Sequence, residues 1–252
     1  MNATDQLPSV SNSSDHFPEF AEGRKHLIVA LDFPTEAEAL ALVDRLGNLC
    51  QWFKVGLELY LSAGNSIIGK LTKRGHSVFL DLKLHDIPNT VAGAVRSATS
   101  QGAALLTVHT SGGPVMLKAA ADAAASSPVT LLGVTVLTSM DAAQLSSVGV
   151  SSSPADQVLR LARMATESGL HGFVCSPEEV AQLRAALGPD AILVTPGIRP
   201  AGSEIGDQKR VATPGAAIAA GATHLVVGRP ITQSPDPAAA TKSILKEIAA
   251  AL

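Results

Sequence analysis

The chain repeats one unit eight times: a short apolar run, a polar junction, then an amphipathic segment rich in Ala and Leu. The apolar runs fall at residues 26–32, 52–56, 77–80, 105–109, 130–137, 172–175, 192–195 and 223–227. Short runs of Val, Ile and Leu bounded by Gly and Pro predict strands. The segments between them carry helix signals. Pro34 and Thr35 start a helix over 35–46 that Gly47 stops, a second spans 62–74 up to Gly75, Pro88 opens a third reaching residue 101, and a last one covers 236–252. Strand and helix in alternation argue for a parallel sheet covered by helices, and eight repeats argue for closure into a (β/α)8 barrel. The alternative is an open doubly wound sheet. No G-x-G-x-x-G follows the first strand, which removes the main reason to prefer it.

Composition supports that architecture and narrows the partners. The chain is 46% hydrophobic but only 3% aromatic, so its core is built from Val, Ile, Leu and Ala, as parallel sheets between helices usually are. Nineteen Lys and Arg stand against 22 Asp and Glu, with no basic run, so a nucleic-acid footprint is not expected. No apolar run approaches the ~20 residues that cross a bilayer, so no membrane partner is expected either. Cys50 and Cys175 are isolated thiols without C-x-x-C spacing, expected to be buried and reduced in a cytoplasmic protein. The first two dozen residues are rich in Ser, Asn, Asp and Pro; a disordered tail is expected over 1–24 and a single barrel domain over 25–252.

In a barrel, functional groups sit at the C-terminal ends of the strands, so polar residues there are the candidates. Asp32 ends the first strand, Lys54 lies in the second, and Asp81 and Lys83 end the third. Residues two apart on a strand share a face, so Asp81 and Lys83 point the same way. Burial discharges a lysine unless carboxylates stand beside it. An Asp-Lys-Asp-Lys array is therefore expected, with Lys83 as a permanent cation able to stabilise a carbanion and donate a proton. A set of mutually satisfied interior ion pairs without chemistry is the competing reading. Thr138 and Ser139 follow the fifth strand. Gly228 and Arg229 follow the eighth, where this fold commonly binds phosphate, and Arg199 or Gln208 in the loop after the seventh could close the other side of such an anion. His109, at the end of the fourth strand, has no metal-ligand spacing and is expected to be a core residue. His85, between Lys83 and Asp86, is expected to have no catalytic role.

The D-x-K-x-x-D pattern at Asp81, Lys83 and Asp86, running on as Ile87-Pro88-Asn89-Thr90, resembles the signature of the orotidine 5'-phosphate decarboxylase family. Phe53-Lys54-Val55-Gly56, Val136-Leu137-Thr138-Ser139-Met140, Thr195-Pro196-Gly197-Ile198-Arg199 and Val227-Gly228-Arg229-Pro230-Ile231 agree with it. The resemblance runs from about His26 to the C-terminus. It implies a homodimeric barrel that converts orotidine 5'-monophosphate to UMP and CO2 without metal or organic cofactor. Lys83 would be the proton donor, with Lys54, Asp81 and an Asp86 lent by the partner subunit completing the charged array. Asp32 and Lys54 would meet the ribose hydroxyls, Thr138 the pyrimidine, and Arg199, Gln208, Gly228 and Arg229 the phosphate; Ile87 and Thr90 would cross the interface. The nearest alternative is a metal-dependent hexulose-6-phosphate synthase or ketogulonate-6-phosphate decarboxylase, which places a Glu where this chain has Lys54. A phosphate-binding barrel without catalysis is the alternative of another class.

Overall fold

Every strand is nearly all apolar because both of its faces are covered, one by the barrel interior and one by helices. In the computed structural model, which describes residues 17–200 and 211–252, the strands are β1 (Leu27–Ala30), β2 (Trp52–Gly56), β3 (Ser77–Leu84), β4 (Leu105–His109), β5 (Thr130–Val134), β6 (Gly172–Val174), β7 (Ile192–Thr195) and β8 (His224–Val227). Each pairs in parallel with the next, and β1 pairs with β8, so the sheet closes into the expected eight-stranded barrel. No helix among the described residues is long and apolar enough to cross a membrane.

The period-two alternation of each strand sorts side chains between two cores. Ile28, Ala30, Phe79, Leu105, Leu132, Val194 and Val226 fill the interior. Their neighbours Leu27, Val29, Phe53, Val55, Leu80 and Leu106 join the larger core between sheet and helices. Phe79 is 2% exposed, and truncating a ring so placed typically costs about 3–5 kcal/mol. Parity then decides where the polar residues point. Asp32 continues the inward set after Ile28 and Ala30, Lys54 follows Trp52, Asp81 follows Phe79, and Thr107 follows Leu105.

The first expected helix, Glu36–Leu46, forms where its signals lie: the Thr35 hydroxyl accepts from the Glu38 N–H, and Gly47 ends the helix at φ +49°. The helix expected over 62–74 is instead two, Leu57–Ala63 and Ser66–Lys73, because Gly64 turns left-handed between them at φ +62°. Pro88 opens Pro88–Ser100 as expected. The closing helix is Pro237–Ala249, with the Asp236 carboxylate accepting from the Ala239 N–H.

Two expected boundaries move. The expected tail reaches residue 24, but Pro18–Phe20 forms a 3-10 turn, Gly23–His26 a short helix, and Phe20 is buried in the outer core. Lys242 places its ammonium over the Phe17 ring, so the packed chain begins by Phe17; residues 1–16 lie outside the described set. The fifth strand leaves its ladder at Val134 although Thr135 and Val136 remain buried. Burial without pairing looks the same as a strand in the sequence.

Candidate active site

At the C-terminal mouth of the barrel the four expected charges meet. Lys54 Nζ lies 2.9 Å from Asp32 Oδ1 and 3.6 Å from Asp81 Oδ2, and Lys83 Nζ lies 2.8 Å from Asp81 Oδ1. The array runs Asp32–Lys54–Asp81–Lys83, charges alternating, as the spacing predicts. Burial deepens toward its middle: the side chains of Lys54 and Asp81 are 11% and 12% exposed, that of Lys83 33%, that of Asp32 58%. Burial by itself pushes the Asp81 carboxyl up, but the Lys54 and Lys83 ammoniums and the hydrogen bonds from Lys83 and Thr107 outweigh it and hold the group below its ordinary value. Asp81 is thus a buried carboxylate kept ionised by its partners.

The route by which Lys83 reaches Asp81 differs from simple alternation. Leu80 pairs with Leu106 and Leu84 with Val108, so residues 81–83 of β3 stand against Thr107 alone on β4. The excess is absorbed as a bulge, and Lys83 adopts φ +50°, the only non-glycine positive φ among the described residues. A left-handed backbone at a side-chain-bearing residue costs roughly 1–2 kcal/mol. The buried Thr107 hydroxyl accepts from the Lys83 N–H at 2.8 Å and donates to Asp81 Oδ1 at 3.0 Å. Thr107 was not among the expected site residues; its inward parity is the signal that marks it. Beyond the bulge the His85 ring lies 5.5 Å from that of His109. His109 is half-buried at the rim, and burial, then the neighbouring His85 and Lys83, hold its basicity down against the pull of Asp81.

Lys54, Asp81 and Lys83 form one wall of a cavity of about 170 Å³ whose other walls include Phe79, Thr138 and Pro196. Val134, Val136, Val174 and Val226 complete its apolar side. The chamber therefore offers apolar walls beside two lysine ammoniums. A larger cavity of about 330 Å³ opens beside it, sharing Thr138 and rimmed by Met140, Asp141 and Glu178; it holds none of the four array charges.

Of the residues expected on the anion side, Gly228, Arg229 and Arg199 lie within the described chain. A Cβ on Gly228 would lie 3.9 Å from Asp32 Oδ2, so this glycine borders the array, and Arg229 follows it at the start of the turn Arg229–Thr232. The loop after β7 is pinned at its base, where the Arg199 N–H donates to the Ala212 carbonyl at 2.9 Å and Ile198 bridges Ala212. Gln208 lies outside the described residues. Asp86, Ile87 and Thr90 stand exposed on the rim; Asp86 Oδ1 accepts from the Ile87 N–H at 2.6 Å, and no ion pair joins Asp86 to Lys83 within the chain. Among the described residues no three His, Cys, Asp or Glu side chains converge as a metal-binding group. The point between Asp32 and Asp81, where a bridging cation would sit, is filled by the Lys54 ammonium.

Known proteins resemble the chain over most of its length. Orotidine 5'-phosphate decarboxylase of Halorhodospira halophila is 54% identical over 232 residues, 91% of this chain and 98% of that one. The enzyme of the same name from Anaeromyxobacter sp. strain K is 53% identical over 87% of this chain and 96% of its own. The crystal structure of orotidine 5'-phosphate decarboxylase from Lactobacillus acidophilus superposes with a TM-score of 0.80 at 41% identity, covering 89% of this chain and 99% of that one. The family profile that matches residues 25–244 spans every strand and all of the array, and with the identities above it settles the affiliation: the chain belongs to the Orotidine 5'-phosphate decarboxylase / HUMPS family.

Proposed function

We propose that the protein converts orotidine 5'-monophosphate to UMP and CO2 in pyrimidine biosynthesis, with Lys83 as proton donor. The observation that carries this reading is the Lys83 ammonium, 2.8 Å from a buried ionised carboxylate and facing a cavity of about 170 Å³. The bond between ring carbon and carboxylate breaks, CO2 leaves, and the electron pair stays on the carbon. The Lys83 ammonium stabilises that pair and transfers its proton to it, then regains a proton from solvent. A cation fixed in place beforehand lowers the barrier without reorganising water.

Asp81 contributes in two ways. It holds Lys83 in place, and it repels the substrate carboxylate; two like charges ~4 Å apart at an effective dielectric of ~20 cost ~4 kcal/mol. Asp32 and Lys54 bind the ribose hydroxyls and Thr138 the pyrimidine. Gly228 and Arg229, with Arg199 and Gln208, take the phosphate, whose binding energy holds the ring against the array. Neither metal nor organic cofactor takes part. Asp86, Ile87 and Thr90 belong to a homodimer interface through which Asp86 completes the partner's array. The exposed Ile87, 68% accessible, supports that role, and the buried thiols of Cys50 and Cys175, not joined by a disulfide, suit the cytoplasm.

The test follows the absorbance change of orotidine monophosphate with purified protein. Lys83→Ala is expected to lower kcat by about 10³-fold or more while UMP still binds. Activity that survives this change points to a binding barrel, and activity lost to a chelator points to the metal-dependent branch. Mixing Lys83→Ala with Asp86→Asn subunits should restore activity at about a quarter of the sites; no recovery would deny the shared Asp86.

A further inference from the structure

Lys83 stands on backbone that a regular strand does not supply, and one hydroxyl braces both it and the Asp81 carboxylate. The β3 bulge sets residues 81–83 against Thr107, so the ladder partner that the Lys83 N–H would find on a regular β4 is missing. Thr107 Oγ1 takes that N–H at 2.8 Å. Its own proton goes to Asp81 Oδ1 at 3.0 Å, the same oxygen that Lys83 Nζ meets at 2.8 Å. Thr107 is fully buried and sits between Leu106 and Val108, both in the outer core, so its side chain has no freedom to wander. One hydroxyl thus fixes the left-handed backbone of Lys83 and the carboxylate that aims the Lys83 ammonium.

We infer that Thr107 is a positioning residue for decarboxylation, locking the strained Lys83 backbone to the Asp81 carboxylate so that the ammonium stands at one place in the cavity. This rests on the assignment of Lys83 and Asp81 to the chemistry. Thr107 does not line the cavity; its effect passes through the two residues it joins. Losing it leaves the pair close but free to drift, and displacements of an ångström at a reacting centre are costly.

Thr107→Val keeps the branched shape and removes donor and acceptor together, whereas Thr107→Ser keeps the hydroxyl and loses a methyl. The valine variant is expected to lose about 10- to 100-fold in kcat while KM stays within about threefold and UMP binding persists. The serine variant is expected to stay within about threefold of the parent in both. Valine at parent kcat, or serine as impaired as valine, overturns the inference. Should valine fail to fold, Thr107→Ala against Thr107→Ser makes the same comparison, and equal kcat in that pair overturns it. Lys83→Ala run alongside separates the two readings: an active Lys83→Ala removes the assignment beneath, while an inactive Lys83→Ala beside a fully active Thr107→Val removes only the brace.

Discussion

The two ends of the barrel hold polar groups out of water by opposite means. At the mouth, the buried Asp81 carboxylate stays ionised because the Lys54 and Lys83 ammoniums lie within 3.6 Å of it. At the foot, His224 sits edge-on to Trp52 with ring centroids 5.5 Å apart and shares a hydrogen bond with the Thr223 hydroxyl. His26 is the nearest ionisable ring, 6.5 Å away. Burial, with a small push from His26, drops the His224 pKa to about 4, so the ring is neutral at ordinary pH. A polar group buried without a counter-charge gives up its charge, and one buried among counter-charges keeps it. The fold therefore places its alternating charge array at the end where parallel strands of a closed barrel point their loops.

Breaking the pairing at the mouth should have the largest effect. Asp81→Asn leaves Lys54 with Asp32 but strips Lys83 of its carboxylate, so kcat is expected to fall by about 10³-fold. Stability at pH 7 is expected to fall by about 2–4 kcal/mol, because an ammonium is left half-buried beside another. The wild-type contribution of Asp81 is present above its unfolded pKa of 3.8 and disappears as pH drops through the lower folded value. Urea unfolding of both proteins at neutral pH measures the difference. A variant as stable as the parent would mean that the array carries no net pairing energy.

The foot is probed by acid in a range where Asp81 does not titrate. Between pH 6.5 and about 4 the unfolded chain protonates His224 and the folded chain does not, so stability is full above 6.5 and declines as pH falls through that window. Lowering pH from 7.5 to 5 should cost about 2 kcal/mol through this one ring. His76 and His109 shift in the same direction, so the wild-type slope exceeds this share and the comparison with His224→Gln isolates it. The variant should lose about 2 kcal/mol less on acidification. Equal losses in the two proteins would show that His224 ionises in place, and the contrast between mouth and foot would lapse.

The sequence discloses these two ends unequally. The array is legible because parity alone carries Asp32, Lys54 and Asp81 inward with the interior apolar set, and because charges at strand ends stand out from a Val- and Leu-rich background. The bulge is not legible. Asp81-Leu82-Lys83-Leu84 alternates like an unbroken strand, and only the pairing with β4 reveals that Thr107 faces three residues. Thr107 itself, a β-branched residue between Leu106 and Val108, looks like ordinary strand material until its partners are known. His224 escapes notice for a related reason: a lone histidine opening a strand shows nothing of Trp52, which lies far off in the chain. The Phe17 and Phe20 anchor is hidden by averaging over a Ser- and Asn-rich segment. On the proposed reading Asp86, Ile87 and Thr90 act across a homodimer interface, and a single sequence carries no signal of what faces them.

The smallest expected effects come from two glycines, one at each end, and they sharpen the comparison most. Gly172 opens β6 at the foot, where an added Cβ would lie 2.6 Å from Leu132 Cδ2 and 2.9 Å from the Leu131 carbonyl oxygen. The backbone oxygen cannot step aside, so Gly172→Ala should cost about 2 kcal/mol in unfolding free energy and leave the kcat of folded molecules unchanged. Gly56 ends β2 at the mouth, where the same Cβ would lie 3.0 Å from Lys54 Nζ and 3.2 Å from Asp32 Oδ1. Those are the tips of flexible side chains, which yield by a few tenths of an ångström. Gly56→Ala should therefore change stability by less than about 1 kcal/mol yet lower kcat/KM by about tenfold, because the atoms that yield are the ones that must be in place. The two variants together ask whether tight packing at the foot serves the fold and tight packing at the mouth serves the reaction. If both alter the same quantity, whether melting or turnover, then the two ends are not divided in this way, and the charges at the mouth are simply part of the core.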